Sequence, residues 1–229
     1  MNYKKKIVCL ANSRKPGGRC VAGKEVLEGS YGGWVRPVSV RATAEISIEE
    51  RQYEDGSEPK LLDIIDIPMI APVPRVHQTE NHMIDAEVYW TKVGELAWDD
   101  VTALLDTPAS LWGNGDSTYH GRNDRMTQAA ASAFQNSLLL IEPENLVMRV
   151  LTPGTAFGNP KRRVRAEFTY QGVPYDLMVT DPVAERVFLA RPNGNYPSPD
   201  VRFCISLAEA HTDGYCYKLV AAVISPELL

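Results

Sequence analysis

The most regular polar–apolar pattern in the chain is RVRAEFTY (163–170), where Val164, Ala166, Phe168 and Tyr170 alternate with Arg163, Arg165, Glu167 and Thr169. Period-two alternation predicts a strand buried on one face and wet on the other. Gln171-Gly172 supplies a turn, YDLMVT (175–180) runs back as the partner strand, and the apolar LVMRVL (146–151) precedes both. The period then changes in DPVAERVFLA (181–190). Asp181 is a good N-cap and Pro182 suits the first helical position, where its missing N–H costs nothing, so a short helix is expected up to RPNGNYPSP. Two strands, VRFCISL (201–207) and YCYKLVAAVI (215–224), finish the chain around a turn at Asp213-Gly214.

Three strands, a short helix and two strands is the order of an OB-fold, a five-stranded barrel. The N-terminal residues repeat it less cleanly. KIVCLA (6–11), GWVRPVSV (33–40), LLDIIDIPMI (61–70) and MIDAEVYW (83–90) read as strands, and RCVAGKEV (19–26) as extended or a helical turn. The acidic SIEERQYEDGSEPK (47–60) breaks into turn residues and reads as an exposed excursion. LAWDDVTALLD (96–106) has helical spacing at Leu96, Val101, Leu104 and Leu105. PASLWGNGDSTYHGRNDRM (108–126) is glycine-rich and irregular, and TQAAASAF (127–134) favours helix. The expectation is a mainly β chain with minor α: two tandem OB-like barrels, residues 1–135 and 136–229, bridged by that helical segment.

Composition adds little until it is divided along the chain. The net charge is −5, yet residues 1–44 carry nine Lys or Arg against two acids, residues 45–150 carry seven against nineteen, and residues 151–229 carry eight of each. A local basic patch can bind an anion on an acidic protein. No run approaches the roughly 20 apolar residues of a membrane helix. The apolar run behind the basic tip spans only Ile7 to Ala11, too short for a signal-peptide core, so the expected location is the cytoplasm, with no membrane association. Cys9, Cys20, Cys204 and Cys216 lie far apart without a C-x-x-C pair, so neither a zinc site nor a disulfide framework is expected, nor any cofactor.

Candidate chemistry gathers in NSRKPGGRC (12–20). Gly17-Gly18 permits a tight turn whose backbone N–H groups can face an anion, Arg14 and Arg19 add planar forks suited to phosphate, and Lys15 adds a point charge. It is not a P-loop, since GxxxxGK[ST] is missing. Together with GGWVRPVS, NHMIDAEVYW, LWGNGDSTYHGRNDRM and CISLAEAHTDGYCYKLVAAVI, this stretch resembles the bacterial dual OB-containing domain family over nearly the whole chain. The resemblance implies two OB barrels in tandem and a nucleic-acid or nucleotide role in prokaryotic conflict or defence systems. It carries no catalytic residue over to this sequence.

The positions singled out for ligand binding are Asn12, Ser13, Arg14, Lys15, Arg19, Cys20, Trp34, Arg36, Asn123, Arg125 and Lys218. Arg36 and Trp34 share a strand face, a pairing suited to a base and a phosphate, although Trp34 as core and Arg36 paired with Asp124 fits equally. In the second half, Arg202, Cys204 and Ser206 fall on one strand face and Cys216 and Lys218 on another, with NPKRRVR (159–165) beside them as a possible backbone-binding patch. The favoured reading is a module for single-stranded nucleic acid or a nucleotide. One alternative is a protein-interaction subunit built on the acidic middle segment. The other is a cysteine-dependent enzyme using Cys20 with His82 or His120, for which no hydrolase signature or histidine spacing speaks.

Overall fold

A computed structural model describes residues 2–154, 158–198 and 200–229. The chain forms two compact units, one running up to Leu105 and joined by Leu229, the other from Asp106 to Leu228. Both are built mainly of strands.

In the first unit, β1 (Tyr3–Lys15), β2 (Gly18–Leu27) and β3 (Ser30–Val38) form an antiparallel meander, followed by β4 (Asp63–Pro72), β5 (Asn81–Ile84) and β6 (Thr91–Glu95). β3 pairs in parallel with β5, β5 pairs with β4, and β4 returns to β1, so five strands close on themselves and β6 adds to β4. This is the OB barrel order. Closure requires β1 to serve two neighbours: residues 3–8 face β4 and residues 7–15 face β2, with a bulge between Cys9 and Ala11 bending the strand between those tasks. Residues 7–11 are all buried, which is why this strand reads as an unbroken apolar run. At Gly23 an added Cβ would lie 2.0 Å from the Val8 carbonyl oxygen, so only glycine permits the crossing.

The 47–60 segment is less of an excursion than its charge suggests. Ser47 and Glu50 form a capping box that starts the one-turn helix α1 (Ile48–Arg51). Arg51 is buried and Tyr53 joins the barrel core with Ile46 and Trp90. The expected strand at 83–90 ends at Ile84, because Asp85 starts a turn that Val88 closes onto its carbonyl. The helical spacing at 96–106 becomes a 3₁₀ helix, Trp98–Leu104, burying Val101 and Leu104.

The second unit holds β7 (Arg125–Thr127), α2 (Gln128–Ala131), β8 (Leu138–Ile141), β9 (Glu144–Leu151), β10 (Arg163–Tyr170) and β11 (Val173–Val179), then α3 (Pro182–Leu189), β12 (Gly194–Pro197), β13 (Arg202–Ala210) and β14 (Tyr215–Ile224). β9, β10, β11, β14 and β13 lie side by side with β11 and β14 parallel, and β13 reaches β8. β8 and β9 together do what β1 does alone: one half pairs with the fourth strand, the other with the second. The split falls at Glu142-Pro143, where proline has no N–H to give a ladder and Asn145 turns to φ 53°.

The 127–134 segment does not bridge two barrels. α2 is a single turn, and Ala131, Met126, Leu111 and Trp112 all belong to the second core, so the units part at Leu105/Asp106. β7 pairs with β14 while Arg122 exchanges backbone bonds with Asp176 of β11, so residues 122–127 fill the wedge where those two strands diverge.

Candidate functional site

An OB barrel meets its ligands on strands two and three and on the loops joining strands one to two and four to five. In the first barrel the former loop is the NSRKPGGRC stretch. β1 runs through Lys15, Pro16-Gly17 makes the turn with Gly17 at φ 85°, and β2 starts at Gly18. The register sets Arg14 directly opposite Arg19, and Ser13 opposite Cys20. Two guanidinium groups therefore stand on one face at the hairpin end, Arg14 exposed and Arg19 half-buried, with Lys15 next to them. Asn12 anchors the hairpin through Nδ2 donating to the Pro59 carbonyl at 2.8 Å, and Ser13, buried, donates Oγ–H to the Cys20 carbonyl at 3.4 Å.

The backbone at the turn does not form the expected anion cradle. Arg19 exchanges backbone bonds with Ile46 at 2.9 Å each way, and the Glu45 carboxylate lies against Gly17, 3.2 Å from where its Cβ would stand. The Thr43 hydroxyl donates to Glu45 and holds that carboxyl below the usual carboxylate range. A fixed negative group thus lies against the turn, and the cationic part of the hairpin is its side chains. Cys20 is half-buried on β2; His82 bonds the Tyr3 hydroxyl at 2.6 Å and His120 packs edge-on against Tyr119.

Trp34 and Arg36 stand in different surroundings, Trp34 half-buried and Arg36 buried. The Lys24 ammonium, opposite Trp34 in register, stands 5.7 Å from the Trp34 ring centroid. Arg36 is buried at the β3–β5 joint, where its guanidinium meets Glu80 at 3.3 Å and its N–H donates to the Glu80 carbonyl at 2.8 Å. Its partner is therefore Glu80, not Asp124.

In the second barrel, strands one to three turn Arg149, Arg165, Glu167 and Asp176 outward, opposite the core residues Met148, Ala166 and Leu177. These groups are occupied with one another. Arg165 Nε binds Asp176 Oδ1 at 2.6 Å and its Nη2 binds Asp124 Oδ2 at 3.1 Å, while Arg149 Nη1 takes Asp176 Oδ2 at 2.6 Å and Glu167 at 3.2 Å. Burial raises the Asp176 carboxyl, and the two arginines pull it back. Asp124 also accepts from Thr118 N at 2.7 Å and Thr118 Oγ at 2.6 Å. An added Cβ at Gly121 would fall 1.8 Å from Asp124 Oδ2, so the loop lies flat on the network.

Asn123, Arg125 and Lys218 hold the same glycine-rich loop. Asn123, at φ 51°, accepts from Gly115 N at 2.8 Å and donates to the Pro174 carbonyl at 3.0 Å. Arg125 pairs with Asp116 at 3.3 Å and stacks 4.0 Å from the Tyr215 ring. Lys218, 1% exposed, donates Nζ to the Gly113 carbonyl at 2.6 Å and Asn114 Oδ1 at 3.0 Å. Burial lowers it to about 8, with Asp124 opposing the shift. Cys204 and Cys216 are fully buried and Lys218 nearly so, while Arg202 and Ser206 are half-buried, so no exposed polar stripe runs through these positions. The NPKRRVR run divides: Arg165 enters the network and Arg162 caps the Leu189 and Arg191 carbonyls.

The residues that sequence reasoning passed over are Thr118, Gly121, Arg149 and Asp176, and Arg165 was read only as part of the NPKRRVR run. Alternation already put Arg165 outward; no local signal tells that its acids come from residues 124 and 176. Among the described residues no helix is long and apolar enough to cross a membrane. Comparison with curated proteins and with solved structures returned no match. Residues 5–223 match the description "Dual OB-containing domain", in agreement with both closed barrels, and the chain belongs to the dual OB-containing domain family.

Proposed function

We propose that this protein binds single-stranded nucleic acid or a nucleotide through the first barrel, with the β1–β2 hairpin as the phosphate contact. The observation that carries this reading is the cross-strand pair Arg14 and Arg19, flanked by Lys15, at the strand ends beside the loop between strands one and two of a closed OB barrel. Planar guanidinium groups suit phosphate oxygens, and the register holds the two at one level. The face on strands one to three of the second barrel supports ligand contact less, since its arginines already neutralise buried acids. We propose a prokaryotic defence system as the setting of such binding, on the strength of the family resemblance alone.

The test is fluorescence anisotropy with a labelled oligothymidylate of about 12 nucleotides, within the range a single OB barrel covers, across several salt concentrations. Affinity falls as salt rises, and Arg14→Ala with Arg19→Ala weakens binding at least about tenfold. Losing two phosphate contacts on a single strand also reduces the salt slope by about 1.4. Unchanged affinity and slope in the double variant would remove the hairpin from the site.

A further inference from the structure

Residues 73–80 join β4 to β5, the fourth and fifth strands of the first barrel. Arg75 N–H donates to the Gln78 carbonyl at 3.1 Å and Gln78 N–H to the Arg75 carbonyl at 2.8 Å, so Val76-His77 is a two-residue turn. Such turns need positive φ at their first central residue and favour glycine, asparagine or aspartate there. This one has Val76, at φ 49°. A β-branched side chain is strained in that region. Nor does burial compensate: Val76 is 59% exposed, whereas His77 turns inward and is buried. Strain of this kind gathers at ligand clamps and binding loops, where the side chain it presents is in use.

Arg75, beside it, is exposed. Its Nη1 donates to the Ala42 carbonyl at 3.3 Å, and among the described residues no carboxylate pairs with it. Arg41, by contrast, is held by Glu50 and Glu45. The bond to Ala42 ties the loop to the segment that reaches the β1–β2 hairpin. Ala44, at φ 58°, turns back onto the Arg41 carbonyl, Glu45 lies against Gly17, and Ile46 exchanges backbone bonds with Arg19. Ala42 and Glu45 are three residues apart, at most about 11 Å. The hairpin cations and Arg75 therefore stand at the two ends of one short stretch of chain.

We infer that the first barrel takes a single strand of several nucleotides rather than a mononucleotide, its phosphates at Arg14 and Arg19 and again at Arg75, with Val76 as an apolar wedge against a base. This rests on the hairpin reading above. A mononucleotide engages one loop and leaves the other unoccupied. The wedge accounts for valine where glycine would turn more easily, since glycine offers a base no apolar face.

The experiment uses the full chain and the labelled oligothymidylate, with thymidine monophosphate and the unlabelled oligomer as competitors. The monophosphate competes at least tenfold more weakly, since it lacks the further bases and phosphates. Arg75→Gln, which keeps an N–H for the Ala42 carbonyl, weakens oligomer binding at least fivefold and lowers the salt slope by about 0.7, one phosphate contact on a single strand. Val76→Gly relieves the strained backbone, so it raises the melting temperature and yet weakens binding several-fold. A purely structural turn residue would raise the first and leave the second unchanged. Competition by the monophosphate at the oligomer's own affinity, or oligomer binding untouched in both variants, would overturn the inference. In either case a loss of binding in the Arg14→Ala, Arg19→Ala variant still upholds the hairpin contact, so the two readings fail separately. An oligomer that does not bind at all overturns both.

Discussion

Lys218 is the residue whose environment departs furthest from what its letter suggests. An ammonium group at 1% exposure pays for desolvation, and its contacts are a carbonyl and an amide oxygen rather than a carboxylate of its own. With its value lowered from 10.5 to about 8, the folded protein sheds this proton before the unfolded chain does. Below pH 8 both states are protonated and the full penalty stands, about 3 kcal/mol from the size of that shift. Between pH 8 and 10.5 the unfolded chain binds more protons, so this group's contribution makes the fold more stable as pH rises. Urea unfolding at stepped pH, wild type against Lys218→Met, reads this directly: the wild type gains on the variant from pH 8 to 10. Parallel curves would show that another group controls that window. At this scale the hairpin cations were legible because they are adjacent in sequence. Arg36 and Lys218 were not, since Glu80 and residues 113–114 reach them only through the fold.

Among the elements, strand alternation at 163–170 and the Asp181-Pro182 helix start were readable because each is set by neighbours within a few residues. Asp181 does cap α3, accepting from Val183 N at 2.8 Å, but its second oxygen also accepts from Val223 N of β14 at 2.9 Å, a contact no local pattern encodes. The Ser47–Glu50 capping box was readable and was hidden by the acidic run around it. β8 and β12 escaped because four-residue strands are too short to show a period. The glycine-rich loop offers the sharpest test of an element's fit. Gly121→Ala drives a methyl group into Asp124 and to 2.6 Å from Arg165 Nη2, disrupting the buried ion network. A loss of at least about 2 kcal/mol is expected, in the range of a broken buried network. Gly33→Ala, on β3 with no atom near its Cβ, serves as the control and stays within about 0.5 kcal/mol in the same thermal melts.

For the whole molecule, the useful charge statement is the division along the chain, since the −5 total conceals a basic N-terminal stretch and an acidic middle. The first unit holds both: the hairpin cations on β1 and β2, and the carboxylates around Tyr53 and Trp90. The division at Leu105/Asp106 has a direct consequence for fragments. A fragment from Asp106 keeps Leu111, Trp112, Met126 and Ala131 in the second core, together with the Leu111 N–H bond to Tyr175 Oη at 3.2 Å. One starting at residue 136 leaves those core positions empty and β14 short of β7. Circular-dichroism melts should show a cooperative transition for the longer fragment, and a much lower or absent one for the shorter. Equal melts would place the boundary near residue 135 after all.

By itself, the sequence determined that this is a mainly β chain, the order of the five long strands and the helix α3 in the second barrel, the basic hairpin and the family. All of these depend on short-range period, capping and turn chemistry, or on motifs recurring in order. The tertiary structure alone decided which cations are spent on internal acids, that Glu45 covers the glycine turn, and that the 108–134 stretch is core to the second unit. Burial and ion pairing are set by residues tens of positions apart, and only a closed barrel brings them within reach.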